Sequence, residues 1–302
     1  MKSSSDQHHH PKQAPVSLLF LIPAIALTLL AFAGNSLLTR AAMQDSQISE
    51  TLFTAIRISS GAVVLCVLLA LRKARGNSAM KTIQGRWMGA IALLAYALGF
   101  TWAYRSMSAA TGALILFAVV QATMIGWSVA KGKRLHWMAW LGLMLAMAGL
   151  VLLLLPGLHT PPWHASLLMT IAGVAWGMYS ILGQTSSDPL ATTAGNFLRA
   201  TPIAIAFALL AALVSGSRWD THGAVLAVIS GSITSGLGYA LWYRVLPLLA
   251  PQTSASLQLS VPLITALGGM WWLGEAPSLR LWLASAAIIV GIGLVIQSQR
   301  RR

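Results

Sequence analysis

LGFTWAYR occupies positions 98–105, and LGYALWYR occupies positions 237–244. The two phrases lie 139 residues apart, and the matching continues downstream after a three-residue difference in loop length. At a constant offset of 142, Thr111 meets Thr253, Ala113 meets Ala255, Thr123 meets Thr265, Gly126 meets Gly268 and Gly132 meets Gly274. Trp140 then meets Trp282 and Gly149 meets Gly291, and upstream Arg57 meets Arg199 in the same register. AFAGNS at 31–36 likewise faces AWGMYS at 175–180. Isolated matches are common among apolar segments. A register maintained through small residues, tryptophan and arginine marks a tandem duplication.

The duplicated unit is built for a bilayer. Of 302 residues, 57% are hydrophobic and 9% charged, against about 25% charged in soluble domains. Leu18–Leu38, Trp137–Leu158 and Leu281–Ser298 carry no charge, and about 18 apolar residues suffice to cross a hydrocarbon core. Apolar runs and their interruptions predict ten helices, near 16–39, 50–71, 87–104, 108–130, 137–156, 164–184, 190–214, 223–244, 252–273 and 279–298. Strands are excluded, because a membrane barrel alternates apolar and polar residues over segments of about ten. The expected fold is an all-α polytopic membrane protein.

Five helices per repeat force the second copy to enter the membrane from the opposite side. The result is a pair of inverted five-helix repeats around a central cavity, an arrangement that suits alternating access. Residues 16–158 form the first repeat and 159–298 the second. A solvated, disordered tail (1–15) precedes them, and a basic tail (299–302) follows.

The net charge of +14 and pI near 11.2 would suit a nucleic-acid binder only if the basic residues shared one face with aromatic side chains. Here the basic residues fall in short loops and tails, while the aromatics lie inside apolar runs. With the N-terminus in the cytoplasm, fourteen of the twenty lysines and arginines lie inside: Lys2, Lys12, Arg72, Lys73, Arg75, Lys81, Arg86, Lys131, Lys133, Arg134, Arg244 and Arg300 to Arg302. Only Arg40, Arg105, Arg218 and Arg280 fall outside. Positive loops stay cytoplasmic, so both termini do.

No cleavable leader is evident, since the first apolar run is too long and lacks a small-residue cleavage site. The single Cys66 cannot form an internal disulfide. His8 to His10 belong to the solvated tail, and no metal or cofactor is implied. Neither is an enzyme: there is no HExxH, no intramembrane aspartate pair and no nucleophile–base motif.

The six carboxylates, Asp6, Asp45, Glu50, Asp188, Asp220 and Glu275, all fall in loops, tails or helix ends. An intramembrane carboxylate is the usual proton carrier, so cation–proton exchange is disfavoured. Arg57 and Arg199 are the charges inside helices, read either as carboxylate anchors or as structural arginines that snorkel or bind helix-end carbonyls. Asn35, Tyr96, Trp102, Gln121, Trp176, Tyr179, Tyr239 and Gln258 are the candidate cavity residues. Aromatic rings can stack on an aromatic solute, and amides can bond a zwitterion. Interfacial belts and helix packing also account for many membrane aromatics. The repeated phrase lies in helices 3 and 8, which are expected along the cavity and carry Tyr96 and Tyr239. Gly231, Ser232, Ser235, Gly236 and Gly238 read as close helix contacts. Pro202 and Pro262 each remove an internal hydrogen bond and so bend helices 7 and 9, as hinges or fixed kinks.

The stretch TSASLQLSVPLITALGGMWWLGEAPSLRLWLASAAIIVGIGLVI (253–296), with a central proline, an LGE turn and a Gly-rich final helix, resembles the C-terminal signature of the drug/metabolite transporter superfamily. Within it the chain is similar to the EamA-type exporters, and most closely to YddG-like exporters of aromatic amino acids. The first repeat departs from that signature, with Val120 in place of Pro262 and Lys133 in place of Glu275. The resemblance implies a monomeric exporter of amino acids in a bacterial inner membrane, with small-molecule substrate and lipid as its partners. A broader metabolite or drug permease fits the same features. A lipid scramblase or a membrane scaffold is the reading from another class, though a scaffold has no need of paired polar residues. Facilitated diffusion and proton exchange both remain open as driving force.

Topology can be tested directly. With Ser78→Cys in a Cys66→Ala background, a membrane-impermeant thiol reagent should label inverted vesicles and not intact cells.

Overall fold

The computed structural model describes residues 18–75, 83–132, 134–155, 161–184, 186–216, 218–249, 257–276 and 278–300. The tail expected at 1–15, most of the loop after Arg75 and the seam at 156–160 lie outside these residues.

The described residues form α1 (Leu18–Asp45), α2 (Glu50–Ala74), α3 (Trp87–Tyr104), α4 (Ala109–Ala130) and α5 (Trp137–Leu154). There follow α6 (Trp163–Gln184), α7 (Pro189–Ser215), α8 (Thr221–Val245), α9 (Ser260–Trp272) and α10 (Leu279–Arg300). Among the described residues, nine of these helices are long and apolar enough to cross a membrane; α9, with 13 residues, is the exception.

Local chemistry sets the boundaries. Ser108, Asp188 and Asp220 cap α4, α7 and α8 by accepting from the backbone N–H of Thr111, Ala191 and Gly223, which satisfies donors that the first turn leaves orphaned. Gly132 and Gly216 stop α4 and α7 with φ of 86° and 77°, a conformation that glycine adopts without steric cost.

Two expected boundaries are corrected. Helix α1 runs on to Asp45 instead of ending near 39, so Arg40 lies inside a helix and not in a loop. Its charge is satisfied there by Glu275 and by the Tyr104 carbonyl, so the helix need not end before it. The ninth helix is interrupted: residues 257–258 are helical, Leu259 is a turn and α9 begins at Ser260. Pro262 therefore stands in the first turn of α9, where an N–H would be unsatisfied anyway, and removes no internal hydrogen bond there. Pro202 does lie inside α7.

The principal packing pairs are α5 with α10, α2 with α7, α4 with α9, α3 with α6, α1 with α8, α4 with α6, α1 with α9, α3 with α7 and α2 with α8. The perimeter is apolar: Trp271 is 90% exposed and Val214 86%, a skin that suits hydrocarbon and not water. Polar side chains such as Thr28, Asn35, Arg57 and Thr234 are turned inward instead.

Glycine allows the tightest crossing. A Cβ on Gly142 would strike the carbonyl of Gly291, and one on Gly291 would strike that of Gly142, whereas Gly293 has open space around it. Overpacking costs about 1–3 kcal/mol. Gly291→Val should therefore lower monodisperse yield and apparent melting temperature in detergent, while Gly293→Val changes neither.

Candidate functional site

At the centre of the bundle a buried arginine meets a box of aromatic rings. Arg57 of α2 is 1% exposed. Its Nη2 donates to the Tyr96 hydroxyl at 3.1 Å and its Nε to Ser235 Oγ at 3.4 Å. The guanidinium lies 5.3 Å from the Tyr96 ring centroid and 5.1 Å from that of Phe100, within cation–π range. Nη1 has no hydrogen-bond partner among the described residues. An arginine at mid-membrane costs about 2.5–3.5 kcal/mol on insertion scales, and here no carboxylate offsets that cost.

Asn35 of α1 ties the arginine to α3 and α8. Its Nδ2 donates to the Tyr96 hydroxyl at 2.9 Å, and its Oδ1 accepts from Ser230 Oγ at 2.7 Å and Thr234 Oγ1 at 3.3 Å. Three α8 hydroxyls can reach inward because Ser230–Leu237 is a π-helix. In an α-helix, residues five apart point about 140° away from each other. The i→i+5 turn widens the helix and brings Ser230 and Ser235 towards one side. The sequence SGSITSGL has weak α-helical preference, and Gly231 lies where any Cβ would strike Ser60 Oγ and the Arg57 carbonyl.

Trp176 of α6 is the hub of the rings. It lies 4.8 Å from Tyr96, 5.3 Å from Tyr179 in a stack and 5.1 Å from Tyr239, measured between centroids. Tyr239 also meets Phe32 and Phe197 edge-on. Phe32, Asn35, Ser36, Tyr96, Phe100, Leu116, Phe117, Trp176 and Tyr239 enclose a cavity of about 20 Å³. That is room for about one water, so the rings themselves fill the site in this conformation.

A cavity of about 800 Å³ lies between α1, α2, α7 and α8 at the end of the bundle where α2 leads to α3. Ala31 and Tyr243 line it, one helical turn from Asn35 and Tyr239 of the box. The Arg72–Asp188 ion pair, at 3.1 Å, stands in its wall. The opposite end is held by two ion pairs. Arg105 binds Glu50 at 2.7 Å and the carbonyls of Met43 and Ile48. Arg40 binds Glu275 at 3.0 Å, and Glu275 accepts from the Ala109 N–H that opens α4. A smaller cavity of about 270 Å³ lies beside Glu275.

The structure thus brings Asn35, Arg57, Tyr96, Trp176, Tyr179 and Tyr239 together. It does not bring the remaining candidates there. Trp102 is 36% exposed on the perimeter. Gln121 is buried on α4 but does not line the cavity, and Gln258 is half-buried ahead of α9. Arg199 donates through Nη1 to the carbonyls of Gln84 and Gly195, which straps α7 to the segment leading into α3. Phe32, Phe100, Ser230 and Thr234 were not legible as site residues, and Ser235 had read as packing. The signal for the hydroxyls was the i,i+4 spacing of Ser230 and Thr234 in a segment rich in small polar residues.

Comparison with known proteins fixes the class. The EamA-like transporter family profile matches residues 163–297, and PA1977 of Pseudomonas aeruginosa is 48% identical over 270 residues, covering 89% of this chain and 92% of that one. The chain belongs to the EamA-like transporter family. It is a multi-pass membrane protein and a transporter. The Bacillus subtilis transporter YwfM is 24% identical over 93% of this chain and 95% of its own. A Streptantibioticus cattleyicolor protein named "probable terminal-alkyne amino-acid exporter" is 24% identical over 68% of this chain and 70% of its own. A crystal structure superposes with a TM-score of 0.65 at 20% identity, over 95% of this chain and 100% of that one, and so shares its fold.

The two arginines should respond oppositely to removal. Arg199→Met removes bonds from a charged donor, worth about 1.5–3 kcal/mol each, and should lower the apparent melting temperature. Arg57→Met removes a buried charge that has no counter-charge, so the melting temperature should hold or rise while transport is lost.

Proposed function

We propose that this EamA-family transporter exports amino acids, aromatic ones foremost, and that the box around Arg57 is its substrate site. One observation carries the proposal: a buried guanidinium with an unused N–H, set among aromatic rings and in no ion pair among the described residues. A carboxylate is the group that completes such a guanidinium, and an aromatic side chain is the group that stacks in such a box. The name of the Streptantibioticus relative supports amino acids as the class.

Alternating access between two inverted five-helix halves accounts for the rest. Exchanging α1–α5 with α6–α10 maps the set of principal packing pairs onto itself: α3 with α6 becomes α8 with α1, α4 with α6 becomes α9 with α1, and α3 with α7 becomes α8 with α2. Three pairs map onto themselves. This supports the repeat read from the sequence. The charge distribution supports both termini in the cytoplasm of a bacterial inner membrane. The large cavity then opens inward, and the Arg40–Glu275 and Arg105–Glu50 pairs close the outer end. Substrate entering from that cavity displaces Tyr239 and Trp176 to reach Arg57. Breaking the outer pairs releases it.

Because no carboxylate lies in the box, transport should need neither proton nor sodium exchange. Proteoliposomes loaded with labelled phenylalanine, tyrosine or tryptophan should release it down its gradient with pH and sodium equal on both sides. The Arg57→Gln protein should reconstitute equally well and release none. Absence of flux for every amino acid in a broad panel overturns the proposal.

A further inference from the structure

We infer that the box recognises a carboxylate and an aromatic ring without recognising an ammonium group, so that deaminated aryl carboxylates are substrates alongside aromatic amino acids. This recognition rests on the box being the transport site.

The inference comes from counting donors and acceptors. The site has a donor to spare, Arg57 Nη1. The side-chain acceptors nearest Arg57 are engaged, and the Tyr179 hydroxyl, behind Trp176, is a neutral acceptor with no partner among the described residues. Asn35 Oδ1 already receives the Ser230 hydroxyl at 2.7 Å, and the Thr234 hydroxyl is shared between it and the Ser230 carbonyl. The Tyr96 oxygen already receives N–H groups from Asn35 and Arg57. An ammonium group needs acceptors for three N–H bonds.

Negative charge is equally absent. The described carboxylates stand at helix ends, Asp45 exposed at the end of α1 and the other four engaged. Glu50 is held by Arg105, Glu275 by Arg40 and Asp188 by Arg72, while Asp220 caps α8. A bare amine brought beside Arg57 meets a like charge at low dielectric, with nothing to offset it. In a zwitterion the carboxylate cancels that repulsion. The ammonium is then left to the faces of Trp176 and Tyr239, a weak attraction. The carboxylate and the ring are therefore read strongly, and the amino group hardly at all.

The two kinds of substrate differ in what this costs the cell. A transporter that ignores the ammonium cannot distinguish an amino acid from the acid formed by removing its amino group. The reactions that could supply the second class are deaminations followed by reduction, acting on the same carbon skeletons.

Competition binding tests this on the purified full chain in detergent, with tritiated phenylalanine as the probe. Hydrocinnamate should displace it within about tenfold of unlabelled phenylalanine, because only a weak cation–π contact separates the two. Phenethylamine, which keeps the ring and amine but lacks the carboxylate, should fail to displace it at concentrations about 100-fold higher. Arg57→Gln should abolish binding of labelled phenylalanine and labelled hydrocinnamate together, and Arg57→Lys should restore part of both. If phenylalanine binds and hydrocinnamate does not compete, an ammonium site exists and this inference is overturned, while amino-acid export stands. Displacement by phenethylamine as strong as by phenylalanine overturns it too. If neither labelled acid binds, the box is not the substrate site, and both readings fall.

Discussion

Arg57 sets the terms for everything around it. A guanidinium buried inside a helix bundle must find hydrogen-bond partners and a compensating electron distribution within a few ångströms, because the apolar surroundings supply neither. Tyr96 and Phe100 from α3 lay their π faces against it, Ser235 reaches it from α8, and Asn35 from α1 fixes the Tyr96 hydroxyl. Four helices thereby converge on one side chain. The residual unmet N–H is a cost that persists unless a ligand relieves it, and on that ground the centre of the bundle is proposed as the substrate site.

The bundle ends use arginine differently. Arg40, Arg72 and Arg105 each meet a carboxylate near the membrane boundary, where partial solvation keeps the pairs reversible. Glu275 links two functions, since the carboxylate that binds Arg40 also caps α4. Separating that pair therefore frees the start of α4 as well as α1. The same charge chemistry is permanent at the centre, where water is excluded, and breakable at the ends.

Much of the helical order was legible because hydrocarbon imposes a simple rule on composition, and helices such as Trp87–Tyr104 follow it residue for residue. Arg40 misled because its partner, Glu275, lies 235 residues away, and a charge looks like a loop until its counter-charge is known. Pro262 misled because the unbroken run of small and apolar residues around it reads in the sequence as one continuous helix. In the site, Tyr239 was legible from the repeated phrase, Tyr96 from the helix that carries the other copy, and Asn35 and Arg57 from their rarity in apolar runs. The π turn was not, since its hydroxyls have the same composition as a tight helix contact. Gln121 and Gln258 show the converse: amides in apolar runs draw attention, yet neither lines the cavity.

A fixed positive charge inside the membrane also answers to voltage. Moving one elementary charge through the full field is worth about 2.3 kcal/mol per 100 mV, and Arg57 has no carboxylate on the protein to cancel it. Occupied by a simple carboxylate, the pair is neutral, and its displacement during reorientation does no electrical work. Occupied by a zwitterion, the site keeps its full charge, as it does when empty. For the cargo proposed above, the amino group would thus decide which half of the transport cycle the membrane potential can drive.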